Sequence, residues 1–159
     1  MSSRNLTPRP RLAARVITVN GHDQALLFET IDAARPDRES RWISPGGGLE
    51  DGETFVDGAL RELEEETGFR ADVLVGPVGT SAFIYSENGE AIAQEEEIFV
   101  VFVGNADVAF DGWTDWERTF MRSARWWGRD ELEAGSIKFF PKNLFELVDK
   151  ARSELSSGA

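Results

Sequence analysis

Residues Gly47 to Phe69 read GGLEDGETFVDGALRELEEETGF, one arginine and a run of glutamates at helical spacing behind a glycine turn. Thr54 suits a helix N-cap, with Asp57 three residues on in a capping-box-like start, and Gly68 suits the left-handed residue that ends a helix. The helix is therefore expected over Phe55–Thr67. At about 100° per residue, Phe55, Val56, Ala59, Leu60 and Leu63 form an apolar stripe. Glu62, Glu65 and Glu66 cluster along its edge, and Glu64 points away. Like charges on adjacent turns, about 6 Å apart, repel by roughly 2–3 kcal/mol per pair at an effective dielectric of about 20. A divalent cation reverses that sign, because Mg²⁺ or Mn²⁺ takes oxygen ligands and shares them among carboxylates, water and phosphate. Arg61, four residues before Glu65, is placed to orient that carboxylate and to neutralise part of the cluster. An ordinary amphipathic helix with a solvated acidic face is the competing reading. Against it stands Pro45-Gly46-Gly47-Gly48, since consecutive glycines are costly unless the backbone turns sharply or approaches something closely.

The segment satisfies G-x5-E-x7-R-E-U-x-E-E-x-G-U, with U bulky and apolar, at Gly47, Glu53, Arg61, Glu62, Leu63, Glu65, Glu66, Gly68 and Phe69. From average residue usage, chance agreement at one start point is on the order of one in a billion. The pattern resembles the signature of the Nudix hydrolases, which cleave a nucleoside diphosphate linked to a further group. The resemblance implies a single Nudix domain with an α/β/α sandwich around a mixed sheet, a metal ligand in the Gly46 carbonyl, and frequent dimer formation. It also implies a further glutamate drawn from a late loop, for which Glu117 is the positional candidate, with ordinary loop structure as the alternative.

Composition limits the chemistry further. With 159 residues and 41% hydrophobic content, the chain can bury a real core. A formal net charge of −12 disfavours nucleic-acid polymers and anionic membranes, while a metal-chelated phosphate stays compatible. No apolar run near 18 residues and no signal-peptide pattern is present, so a cytoplasmic protein is expected. Cysteine is absent, which excludes thiol nucleophiles and Cys/His zinc sites. The single histidine, His22, lies in Asn20-Gly21-His22-Asp23 between apolar runs, the setting of a hairpin turn rather than of catalysis.

Outside the signature, residues 1–10 read as a mobile tail and 11–155 as the domain. Leu12–Val19, Ala25–Thr30 and a short stretch around Trp42 and Ile43 read as strands, separated by a charged loop over Ala33–Arg41. Arg35, Arg38 and Arg41 in that loop are either phosphate contacts or solvated surface. Ala71–Val78 and Ser81–Tyr85 read as extended, Glu87–Glu90 as a hairpin turn, and Ala91–Val103 as the returning strand. Arg125–Gly128 suggests a strand, Arg129–Ala134 a helical turn, and Pro141 the opening of a final helix with Leu144, Leu147, Val148, Ala151 and Leu155 at helical spacing. Alternation places Glu95 and Glu97 on one strand face and Glu96 on the other, so one of them either completes the metal shell or belongs to a solvated strand start. Trp113, Trp116, Trp126 and Trp127 divide between core packing and base stacking, with core expected for at least two.

The expected activity is metal-dependent hydrolysis of a pyrophosphate bond in a small nucleoside diphosphate derivative: a nucleotide, a nucleotide-sugar or a dinucleoside polyphosphate. Glu62, Glu65, Glu66 and the Gly46 carbonyl are expected to hold Mg²⁺ or Mn²⁺, with Glu62 the first choice of general base. Glu117 or a glutamate of Gln94–Glu97 follows, and Glu53 is expected to anchor the loop and metal waters. A Nudix-fold sensor that binds a nucleotide without turnover is the rival reading, which the complete carboxylate set disfavours. A calcium module is a weaker one, since no EF-hand loop is present. Tyr85 is similar to a tyrosine of dinucleoside polyphosphate hydrolases, and the lack of proline between Gly79 and Gly89 disfavours ADP-ribose.

Overall fold

The computed structural model describes residues 7–31, 37–71, 73–104, 113 and 115–157. Its organising element is β1 (Arg9–Val19), whose Ala13 to Val19 are buried on both faces. A strand hidden on both sides reads as a continuous apolar run, as Val16, Ile17 and Val19 do here. β1 runs parallel to β6 (Glu90–Phe102) from Arg9↔Ile92 to Val19↔Phe102. Its other edge is shared. The glycine strand β4 (Gly46–Gly48) takes Ala13 to Arg15, and β2 (Gln24–Thr30) takes Val19. The sheet order is β5-β6-β1-β2-β3-β8, with β3 at Arg41–Ile43, β5 at Val75–Glu87 and β8 at Lys138–Phe140; β7 (Met121–Gly128) pairs with β2.

Helices cover both faces. Period-two alternation sends Ala14, Val16, Leu26, Phe28, Phe99 and Val101 towards α1 (Phe55–Thr67), where they meet Ala59 and Leu63. The alternate residues Ile17, Val19, Ala25, Leu27, Ile98 and Val100 meet α4 (Leu144–Ser157) through Leu144, Leu147, Val148 and Ala151. Each fully buried side chain of this kind contributes about 1.5–3 kcal/mol, so the two layers fix which face of β1 looks at α1. The expected α/β/α sandwich with a mixed sheet is the observed architecture.

Several element limits differ from the sequence reading. Of the expected tail, residues 1–6 lie outside the described residues, and Arg9 and Pro10 begin β1 because β6 supplies backbone partners for them. The two extended stretches after α1 form one strand, β5, with a bulge between Val75 and Gly79. The final helix starts at Leu144 rather than at Pro141, because Lys138–Phe140 pairs in parallel with β3. Glu117 stands on a short helix, α2 (Asp115–Phe120), not on a loop. Between β7 and α4, Arg129–Glu133 forms α3.

Candidate active site

The glycine strand sits between β1 and α1, and close approach explains its composition. A Cβ on Gly46 would stand 2.9 Å from the Arg15 Cα, and one on Gly47 would overlap the Glu62 carboxylate. The Gly46 N–H donates to Glu66 Oε1 at 2.9 Å, tying the strand to the helix. The helix itself is set by its caps. The Thr54 hydroxyl accepts from the Asp57 N–H, and Gly68, at φ 79°, donates its N–H to the Glu64 carbonyl.

The buried side of α1 is Gly58, Ala59, Glu62, Leu63, Glu66 and Thr67, while Val56, expected in the apolar stripe, is 45% exposed. Two glutamates therefore occupy the buried face. Burial raises the pKa of Glu62, assisted by the charges of Glu65 and Glu117 and opposed by Arg61. Glu66 is raised well above the usual carboxylate range, first by burial and then by the charges of Glu62 and Glu117, against the opposing Gly46 N–H. Oxygens of Glu62, Glu66 and Glu117 all lie within 4.8 Å of one another. Three carboxylates at that spacing, two of them held out of water, are an environment short of positive charge. A hard divalent cation with oxygen ligands fits this donor set.

Arg61 organises the other side. Its Nε and Nη2 form a fork on Glu53, both bonds 2.8 Å; Nη1 reaches Glu62 at 3.0 Å and Glu65 at 3.2 Å, and Nη2 also donates to the Gly48 carbonyl at 3.0 Å. That fork holds the Glu53 carboxyl down at about 2, helped by the Glu50 N–H on Glu53 Oε1. The turn between β4 and α1 is thus pinned by Glu53 through Arg61. The expected contact of Arg61 with Glu65 is present at 3.2 Å, and Glu53 receives the two shorter bonds in addition.

A family model of the NUDIX domain matches residues 9–148. The chain belongs to the Nudix hydrolase family. An RNA pyrophosphohydrolase from Wolbachia sp. subsp. Drosophila simulans is 30% identical over 128 residues, covering 72% of this chain and 74% of that protein. A putative nudix hydrolase 1 from Caenorhabditis elegans is 25% identical over 139 residues, 87% of this chain, which spans 34% of that longer protein. In fold, the MutT protein from Methanosarcina mazei Go1 matches with a TM-score of 0.67 at 21% identity, over 92% of this chain and 97% of that one. An Ap4A hydrolase from C. elegans matches with a TM-score of 0.56 at 18% identity, over 92% and 98%.

In this Nudix domain the remaining sequence candidates separate by position. Glu65 is 43% exposed and rests on Arg61, outside the trio of Glu62, Glu66 and Glu117. Glu64 faces away and pairs with Arg70. Glu96 is buried against Arg15, with bonds of 2.7 and 2.6 Å, on the α4 side of the sheet. Glu97 shares the α1 face with Phe99 and Val101 by alternation, and Glu95 is exposed. His22 donates its backbone N–H to Asn20 Oδ1 in the β1–β2 turn. Arg38 and Arg41 are exposed, and Arg35 lies outside the described residues. Trp127 and Trp113 are core residues, Trp126 packs partly buried on Phe69, and the Trp116 side chain lies outside the description.

Two supporting contacts are not foreshadowed by the sequence pattern. Trp113 Nε1 donates to the Glu66 carbonyl at 2.8 Å and its ring meets Phe28 edge-on, so it fixes the end of α1 that carries Glu66. Arg15 holds Glu96 and the Ser44 carbonyl beneath the glycine strand. Both partners are distant in sequence. Only the run of aromatic residues around Trp113 offered any signal.

Proposed function

We propose that this chain is a metal-dependent pyrophosphohydrolase acting on a small nucleoside diphosphate derivative. The observation that carries the reading is the convergence of Glu62, Glu66 and Glu117 on one point, two of them buried with raised pKa values. Glu62, Glu66 and Glu117 would hold the ion, with the Gly46 carbonyl as the further ligand that the family resemblance implies. Glu65, one turn on from Glu62 and bonded to Arg61, would be the further helix carboxylate available to it. When bound, Mg²⁺ or Mn²⁺ neutralises the diphosphate and supplies an acidified water.

Glu62 is the proton acceptor in this reading. A carboxylate within reach of the attacking water can take its proton as the P–O bond forms. Arg61 orients it at 3.0 Å, and Glu53 fixes Arg61 in turn. Water oxygen joins one phosphorus, the bridging P–O bond breaks, and the leaving phosphate departs with the shared electron pair. The products are a nucleoside monophosphate and phosphate or a phosphorylated remainder, or pyrophosphate from a triphosphate.

Relatives carrying the names RNA pyrophosphohydrolase and Ap4A hydrolase support the bond type. The net charge of −12 supports a small substrate over a polymer. No helix among the described residues is long and apolar enough to cross a membrane. The test is a panel of nucleotides, nucleotide-sugars and dinucleoside polyphosphates with Mg²⁺, with Mn²⁺ and with chelator, products identified by mass spectrometry. Metal-dependent release of a nucleoside monophosphate is expected. Turnover of no compound, or equal turnover in chelator, would defeat the proposal.

A further inference from the structure

An edge strand exposes a row of unpaired N–H and C=O groups, and folded proteins guard it with charge, proline, bulges or shortness. One end of this sheet, β8, is three residues long and carries Lys138. The other end is β5, thirteen residues long, which among the described residues pairs with β6 alone. Its first part is guarded. Pro77 and the bulge between Val75 and Gly79 interrupt the ladder, and Lys150 Nζ donates to the Val78 carbonyl at 3.0 Å. Beyond the bulge the guards stop. From Gly79 to Ser86 the strand has no proline and no charged side chain, in a chain that is 29% charged.

The hairpin turn assigns which groups face outward. Asn88 and Gly89, at φ 52° and 77°, form a two-residue turn that closes on the pair Glu87↔Glu90. That pair exchanges hydrogen bonds, so alternation gives the backbone groups of Tyr85, Phe83 and Ser81 to β6. Ser86, Ile84, Ala82 and Thr80 aim theirs away from the sheet, and all four residues are exposed. Their side chains share a face with Ala91 and Ala93 of β6. Ile84, at 68%, is the most exposed large apolar residue among those described, and its neighbour Phe83 is 38% exposed. Phe83 is also the midpoint of the regular stretch, equally far from Gly79 at the bulge and Glu87 at the turn.

We propose that the free edge of β5 is a self-association surface, on which a second copy of this chain lays its own β5 antiparallel to form a two-fold dimer with one continuous sheet. With the two-fold at Phe83, Thr80 pairs with Ser86 of the second copy, Ser81 with Tyr85, Ala82 with Ile84, and Phe83 with its own counterpart. The whole regular stretch is then used, and the outward N–H and C=O groups find partners. Ile84 lies against the small Ala82 of the second copy, which covers its exposed side chain. Glu87 falls opposite Gly79, so no like charges face each other along the edge. Charge also favours this meeting point over others: two chains of net charge −12 repel, and the β5 edge is a stretch where neither presents an acid.

Sedimentation equilibrium of the full chain over a concentration series, as wild type, Ile84→Lys and Ala82→Pro, tests the surface. Wild type is expected to dimerise. Ile84→Lys changes an exposed side chain, and Ala82→Pro removes an N–H that β6 does not use, so both should keep the wild-type circular dichroism. Each should weaken dimerisation by about 10- to 100-fold, the proline by deleting one donor from each copy. Ile84→Lys decides alone if the proline variant unfolds. Cysteine crosslinking reads the register, since the chain has no cysteine of its own. Facing Phe83 residues form a non-hydrogen-bonded pair with Cα atoms about 4.5 Å apart, within disulfide reach. Under mild oxidation Phe83→Cys should therefore give a covalent dimer on non-reducing electrophoresis, and Thr80→Cys, opposite Ser86 of the second copy, should not. Wild type that stays monomeric throughout overturns the proposal. A dimer as tight in Ile84→Lys as in wild type also overturns it, because the partner then sits elsewhere. Phe83→Cys crosslinking no faster than Thr80→Cys overturns the register.

Discussion

Arg61→Met removes the hub between the glycine turn and the acidic helix while keeping an unbranched stem. Four carboxylates, of Glu50, Glu53, Glu62 and Glu65, and the Gly48 carbonyl then lose their cation, Glu53 most of all, because both of its oxygens are engaged at 2.8 Å. Removing one partner from a buried pair costs about 3–5 kcal/mol; Arg61 is 22% exposed, and water replaces part of the interaction, which leaves about 2–4 kcal/mol. For a chain of this size that corresponds to a fall in Tm of about 5–15 °C. The pH dependence identifies the cause. Glu53 is depressed from 4.5 to about 2, so its contribution is complete above 4.5 and is lost as pH falls towards 2. Urea unfolding in chelator should show a large gap between wild type and variant at pH 7 that narrows by pH 2.5. In a double-mutant cycle, Glu53→Gln added to Arg61→Met should cost far less than it does alone. A loss below about 0.5 kcal/mol, or strict additivity of the two changes, would refute the reasoning.

Glu62 and Glu66 act in the opposite sense to Glu53, since raised carboxylates favour the fold below 4.5 and that contribution is lost as pH rises through their folded values. Thermal scans from pH 4.5 to 8 in chelator should show this decline and Mg²⁺ should reverse it; identical Tm values with and without Mg²⁺ at pH 8 would contradict the cation fit. Trp113→Phe keeps the ring against Phe28 but drops the bond to the Glu66 carbonyl, and should lower stability by about 1–2 kcal/mol in urea. Glu96→Ala leaves the buried Arg15 unpaired and should cost about 3–5 kcal/mol, whereas the paired change Arg15→Met with Glu96→Leu should recover most of that loss. A single variant as stable as wild type would show that the pair carries no strain when broken.

What could be read in the sequence was whatever local geometry determines. The limits of α1 coincide with the expectation because Thr54 and Gly68 cap it within a few residues of its own ends. The three glycines were legible as a demand for close approach, though not what approaches: β1 at Gly46, Glu62 at Gly47 and Arg11 at Gly48. Three-residue β8 could not be seen, since it exists only by pairing with β3. The division among the glutamates was half visible. Helical spacing grouped Glu62, Glu65 and Glu66, but the sheet tilts the buried face so that Glu62 and Glu66 enter it and Glu65 stays at the rim. Alternation separated Glu96 from its neighbours, and the reason for its burial, Arg15, lies on a strand 81 residues away in sequence.

The most direct test of the account is the turnover number of Glu66→Gln on the best substrate of the panel, measured with saturating Mg²⁺. Glutamine can still accept the Gly46 N–H, so the substitution removes charge at the centre of the trio and little else. A loss of about 100-fold or more is predicted, with the fold intact by circular dichroism. Activity within a few-fold of wild type would contradict the assignment of Glu62, Glu66 and Glu117 as the reaction centre.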